Sequence, residues 1–394
     1  MRDLPLSLVG ISAAVLAVTW LGYPLWLHLR SRATPPRAIP TAPATWPTVT
    51  IVVVVRNAEA WLQELLESLL ALAYPADRRR ILVVSNASDD FTDLIAGSYA
   101  ERGVELLRVM RERRSAAAAE NLARRYVSSE LVVAVHPAAR PRPSALAALV
   151  MPFGDRTVGV AYAREVAARP SGSGAAIKES MYRRYESWLR DHETRVFGTV
   201  SARRALYAVR GELYHAPVPA TLSPDFAPVL TAREAGYRAV YAGDAECPLA
   251  QPGTLRGAYA RTVQTVARDL ATLLLKPHLL NPRRYGAFAW ILLGHKLGPW
   301  VSSWAVLVGL AGLALLAPTD PWARAALALA LLPAAAAGGA WLLRGASTPE
   351  TTAPWPVRVA ATTVANAHAW VRAVRALPDF RLEPVARPLF RMRL

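Results

Sequence analysis

Residues Pro47 to Gly103 read PTVTIVVVVRNAEAWLQELLESLLALAYPADRRRILVVSNASDDFTDLIAGSYAERG. Ile51–Val55 is a short β-branched apolar run, the pattern of a buried strand. Trp61, Leu62, Leu65, Leu66 and Leu69 then recur at helical spacing, and Asn57 stands ahead of them where a cap would. Ile81–Val84 predicts a second strand, Val104–Met110 a third and Leu131–Val135 a fourth, with helix-period runs between them. The alternation, continued through Val158–Ala163, predicts repeated βαβ units and a mostly parallel sheet in an α/β fold. Such sheets bind ligands beyond the carboxyl ends of their strands. Those ends are Arg56–Glu59, Ser85–Asp90 and His136–Arg140.

The chain has 394 residues, 53% of them hydrophobic, and a formal net charge of +17 carried almost wholly by arginine. That length accommodates one α/β domain of about 200–250 residues with membrane segments beside it. The positive balance comes with no nucleic-acid recognition motif, so retention of Arg-rich flanks beside anionic lipid is the better reading. Cys247 is the single cysteine, which excludes an intrachain disulfide and a Cys-based zinc site.

Leu6–Leu27 is long enough to span a bilayer, and Arg30, Arg32 and Arg37 after it put its C-terminal side in the cytoplasm. The division expected is a spanning helix in 1–30, a Pro/Ala linker in 31–46 and a cytoplasmic domain over 47–275. An interfacial helix follows in 276–298, two spans in 299–344 and a basic interfacial region in 345–394. Within these, Tyr285–Lys296 reads as the interfacial helix, and Trp300–Ala317 and Ala323–Leu343 as the spans. Val357–Leu377, interrupted by Arg358, Arg372 and Arg375, reads as interfacial, with a fourth span as the alternative. Glu179–Arg195 is an amphipathic helix. The spans carry no internal carboxylate of the kind a transporter uses. These segments predict a multi-pass protein of the cell inner membrane.

The strand ends resemble those of the family-2 glycosyltransferases, close to the cellulose synthase-like branch. That family ends its first strand in a Tyr-Asn-Glu-Glu-like turn, its second in Asp-Gly-Ser-x-Asp and its fourth in Asp-x-Asp. This chain keeps Asn57 and Glu59, then Ser88 and Asp90 with Asn86 at the first carboxylate position. At the fourth strand it has His136 and Ala138. The likeness runs on to Cys247 through Ala205–Tyr214, Ser223-Pro224-Asp225-Phe226 and Gly236-Tyr237-Arg238. Arg204 replaces a glycine, Pro224 an acid, and Ser115-Ala116-Ala117 the family's Gly-Lys-x.

The resemblance implies a nucleotide-sugar domain of the glycosyltransferase A type, with Asn57, Glu59, Asn86, Ser88 and Asp90 around a uridine-type donor and Asp225 as catalytic base. Each has a plainer role open to it: a helix-start acid for Asp225 and Glu59, turn and capping chemistry for Asn86 and Asp90. The family's divalent cation, magnesium or manganese, would sit on the Asp-x-Asp carboxylates. His136 and Ala138 are a poor site for so hard an ion, and no metal residue is assigned. Arg56, Arg113, Arg114 and Arg140 could clamp phosphate in its place or be solvated charges. Two functions follow. One is a membrane hexosyltransferase acting on a lipid-linked or polysaccharide acceptor; the other is a degenerate, inactive subunit assisting an active polysaccharide synthase.

Overall fold

The structure is a computed structural model that describes residues 3–35, 45–109, 116–167, 181–200, 205–215, 222–249, 254–344 and 353–382. Arg113, Arg114, Ser115 and Arg204 lie outside the described residues. The chain divides into a sheet unit within Thr34–Gln251 and a helical unit drawn from Met1–Ala33 and Pro252–Leu382. The expected boundary at Leu275 differs from this division. The helix Leu255–Leu275 lies in the helical unit, where it packs along the helix Trp355–Leu382.

The sheet unit has seven strands: β1 (Val49–Val55), β2 (Arg79–Asn86), β3 (Val104–Val109), β4 (Leu131–Val135), β5 (Val158–Ala167), β6 (Leu206–Arg210) and β7 (Arg238–Leu249). Their order across the sheet is β3-β2-β1-β4-β6-β5-β7. β1 pairs in parallel with β2 and with β4, and β2 with β3. β6 runs antiparallel between β4 and β5, and β7 closes the edge parallel to β5. The sheet is therefore parallel on the β1 side and mixed beyond β4. The order reverses at β1 and β4, the switch point at which α/β sheets open a crevice.

Apolar packing holds this arrangement. Ile51, Val53, Val83 and Val133 are buried, and the helix Leu62–Leu70 lays Leu62, Leu65, Leu66 and Leu69 on them. Arg79 closes that helix's C-terminal end, donating to the carbonyls of Leu69 at 3.1 Å and Leu72 at 2.8 Å. Asn57 does not cap the helix. The N-cap position falls on Trp61, because the backbone at Asn57 turns left-handed at φ 49° before the helix begins.

In the helical unit two helices, Asp3–Ala33 and Ala287–Leu316, are long and apolar enough to cross a membrane. Each contains a stretch of π-helix, at Val18–Gly22 and Leu292–Leu297. The expected separate interfacial helix at Tyr285–Lys296 is instead the opening of the second long helix, because the backbone stays helical from Ala287 to Leu316, through the π-helical stretch and past Gly298-Pro299. The two lie side by side: a Cβ on Gly294 would collide with the Tyr23 ring, and one on Gly298 with Thr19. Pro321–Arg344 is a further helix.

Candidate active site

The carboxyl ends of β1 and β2 are cross-braced. Asn57 donates its N–H to Ser88 Oγ at 3.2 Å, and its Oδ1 accepts the N–H of Asp89 at 3.0 Å. Glu59 donates its N–H to Asp90 Oδ2 at 3.1 Å, and its Oε2 accepts the N–H of Phe91 at 3.0 Å. Asp90 Oδ1 accepts from the N–H of Thr92 at 3.0 Å, and Thr92 Oγ1 takes the N–H of Ala58 at 2.6 Å. The two turns thus bond reciprocally, each through side chains that satisfy the other's backbone. The backbone accommodates this with two left-handed residues, Asn57 at φ 49° and Ala87 at φ 51°.

The geometry gives Asn57, Glu59, Ser88 and Asp90 turn-building contacts. Burial pushes the Asp90 carboxyl up, but the Thr92 hydroxyl and the N–H groups of Glu59 and Thr92 outweigh it. They hold the group below the ordinary carboxylate range. Thr92, fully buried, is a member that sequence reasoning missed; its signal is a hydroxyl two residues after Asp90 at a helix start.

Asn86 behaves differently. It ends β2, is 8% exposed, and its buried Oδ1 has no hydrogen-bond partner among the described residues. A buried acceptor left unmatched costs about 1–3 kcal/mol, so its retention calls for an explanation.

At the end of β4, His136 Nδ1 accepts the N–H of Ala138 at 3.1 Å, which places the ring proton on Nε2. In that tautomer neither ring nitrogen has a lone pair open to a metal, and Ala138 contributes no donor. The residues present do not fit the family's divalent cation. Among the described residues no group of three or more His, Cys, Asp or Glu could hold a metal ion. Arg140 is no phosphate clamp as it stands. Its guanidinium donates to the carbonyls of Pro137, Ala139 and Trp61 and to Glu64 Oε2 at 3.0 Å, tying the β4 turn to the helix Leu62–Leu70. Arg56 is exposed at the end of β1.

Asp225 is half-buried just before the helix Ala227–Glu234. Ser223 serves the helix start, its Oγ taking the N–H of Phe226 at 3.4 Å and its carbonyl the N–H of Ala227 at 2.8 Å. The Asp225 carbonyl accepts from the Tyr162 hydroxyl at 3.1 Å. Tyr162 pairs across the sheet with Tyr207, which pairs with Ala134, the last residue but one of β4. Asp225 is thereby anchored to the row of the sheet that ends at the β4 turn. Tyr162 is a second residue that sequence reasoning passed over. Cys247 is buried, its thiol pushed up to about 12 by burial, and stays protonated.

Residues 50–206 match the family model for glycosyl transferase family 2. The matched stretch lies within the sheet-unit domain. The fold of that domain recurs in the mannosyltransferase PcManGT from Pyrobaculum calidifontis, solved with GDP-Man and Mn2+. It is 24% identical with a TM-score of 0.72, over 93% of this chain and 99% of that one. S. aureus TarS is similar at 16% identity and a TM-score of 0.41, over 71% of this chain and 53% of that one. Glucosyl-3-phosphoglycerate synthase from Mycobacterium tuberculosis is similar at 17% and 0.41, over 57% and 80%. No curated protein matches the chain. The match to the family 2 model therefore runs from β1 to the start of β6, and Asp225 lies beyond it.

Proposed function

We propose that the family 2 domain binds a nucleotide-sugar across the carboxyl ends of β1, β2 and β4. It transfers the sugar to a lipid-linked or polysaccharide acceptor. The observation that carries this reading is Asn86. Its buried, unmatched Oδ1 stands at the edge of the sheet's switch point, where a ligand N–H would complete it. Its amide offers one acceptor and one donor, which complements the N3–H and O4 of uracil. That supports a uridine donor. The N1–H and O6 of guanine present the same pair, and PcManGT was solved with GDP-Man, so both nucleotides belong in the test.

In the transfer, the acceptor oxygen bonds to the anomeric carbon. The bond from that carbon to the diphosphate oxygen breaks, and its electron pair leaves on the nucleoside diphosphate. Asp225 takes the proton of the acceptor hydroxyl. Tyr162 fixes its backbone, and Ser223 serves the start of the helix that follows it. The helices Asp3–Ala33 and Ala287–Leu316 anchor the protein in the inner membrane, with Pro321–Arg344 as a third span and the sheet unit on the Arg-rich, cytoplasmic side.

A second reading, an inactive subunit beside an active synthase, draws on the β4 turn, where His136 is engaged by Ala138 and no carboxylate replaces the metal site. Losing a metal's stabilisation of the leaving group slows transfer by roughly a thousandfold or more. The experiment is transfer of radiolabelled sugar from UDP-sugars and GDP-mannose to a membrane lipid extract, by the full-length protein in detergent. Transfer from any donor, lost in Asp225→Asn, is expected. Nucleotide binding without transfer favours the subunit reading, and neither binding nor transfer overturns both.

A further inference from the structure

The helical unit contains a groove of about 310 Å³ lined by Trp26, Arg30, Gly286, Ala287 and Trp290. Trp26 and Arg30 lie one turn apart near the end of the helix Asp3–Ala33, and Ala287 and Trp290 open the helix Ala287–Leu316. The floor is low because Gly286, at φ 56° and ψ −130°, adopts a backbone that favours glycine, and nothing stands within 4 Å of where its Cβ would be.

The groove thus sits where one long apolar helix ends and the other begins. Two indoles there suit headgroup depth, since Trp is enriched at the membrane–water boundary. The charge is one-sided. Arg30, Arg32, Arg283 and Arg284 are exposed in the two flanking segments. The sequence has no Asp or Glu from Leu4 to Ala58, nor from Leu270 to Thr319. A groove lined by a guanidinium and two indoles matches a phosphate joined to methylene chain: the charge meets the phosphate and the chain packs against the rings.

The geometry points to this groove as a binding site for a bilayer lipid, with its phosphate on Arg30 and its first methylenes between Trp26 and Trp290. The inference rests on the reading that the two helices cross a membrane, and two measurements separate the claims. Carbonate washing of membranes tests the reading: the protein is expected in the pellet, and its release overturns reading and inference together. Native mass spectrometry of the full-length protein in detergent then tests the site with dioctanoyl phosphatidylglycerol, dioctanoyl phosphatidylcholine and inorganic phosphate. Saturable phosphatidylglycerol binding is expected, at least fivefold tighter than phosphatidylcholine, with no binding of phosphate alone up to about 10 mM.

Arg30→Gln should reduce phosphatidylglycerol binding at least fivefold, toward the level of phosphatidylcholine. Ala287→Trp, which fills the groove and leaves the charge, should reduce both lipids. Arg32→Gln should change neither by more than twofold. Equal losses in Arg30→Gln and Arg32→Gln, equal binding of both lipids, or binding of free phosphate would each overturn the site. If a variant fails to fold, the selectivity of the unmodified protein decides.

Discussion

Asp225, Asn86 and Asp90 are expected to fail differently. Asp225→Asn leaves the helix start intact, because Ser223 holds it. Melting temperature and nucleotide affinity should stay within error while transfer falls about 10²–10⁴-fold, the usual effect of removing a positioned base. Asn86→Ala removes a buried unmatched acceptor, so thermal stability should hold or rise by up to about 1 kcal/mol while uridine nucleotide affinity falls. A melt that drops would show that Asn86 is a structural residue. Asp90→Ala opens the brace and strips the N–H groups of Glu59 and Thr92 of their acceptor. Stability should drop by about 1–3 kcal/mol, and nucleotide affinity should drop with it. The motif residues were legible in the sequence. The direction of their side chains was not: whether Asp90 faces its own turn or a ligand follows from left-handed backbone at Asn57 and Ala87, non-glycine residues whose names do not announce it. Likewise nothing near Arg140 in the sequence marks Glu64 and the Trp61 carbonyl as its partners.

At the scale of elements, the parallel half of the sheet was readable because β1, β2 and β4 hold β-branched apolar runs; Leu131–Val135 is β4 to the residue. The mixed half was not, since antiparallel β6 between β4 and β5 depends on long-range pairing. That half is held in part by Arg238, which begins β7 and donates to Asp155 Oδ2 at 2.7 Å. Burial pushes the Asp155 carboxyl up, but the Thr157 hydroxyl and N–H and the Arg238 guanidinium prevail and bring it to about 2. A depressed carboxyl stabilises above its unfolded value near 3.8 and loses that contribution as pH falls toward 2. Asp155→Asn should therefore melt below the wild type at pH 7, with the gap closing between about pH 4 and 2. A gap independent of pH would contradict the pairing. In the helical unit Lys296 Nζ lies 2.9 Å from buried Asp269 Oδ2, a largely buried pair joining the helix Leu255–Leu275 to the π-helical stretch. Lys296→Met alone should destabilise by about 3–5 kcal/mol, and Lys296→Met with Asp269→Leu should recover most of it in a detergent melt. Equal melting of the single variant and the wild type would show that the pair is not buried in solution.

At the scale of the whole molecule, a sheet unit that matches the glycosyl transferase family 2 model over residues 50–206 and a unit with two long apolar helices share one chain. The sheet was legible from strand alternation and the apolar helices from hydropathy, while the likeness to the family rested on the strand-end motifs. The place of Leu255–Leu275 was not, because its amphipathic face is matched to a helix about a hundred residues later. The sheet unit is proposed to hold a nucleotide without the family's cation, because His136 Nδ1 is tied to the Ala138 N–H and no group of three or more metal-ligating side chains occurs among the described residues. The direct measurement is calorimetric titration of the full-length, detergent-purified protein with UDP and GDP, in manganese and again in EDTA. The account predicts binding of at least one nucleotide below millimolar concentration, with an affinity that changes less than twofold between the two buffers. A tenfold loss in EDTA, or no binding of either nucleotide at millimolar concentration, would contradict it.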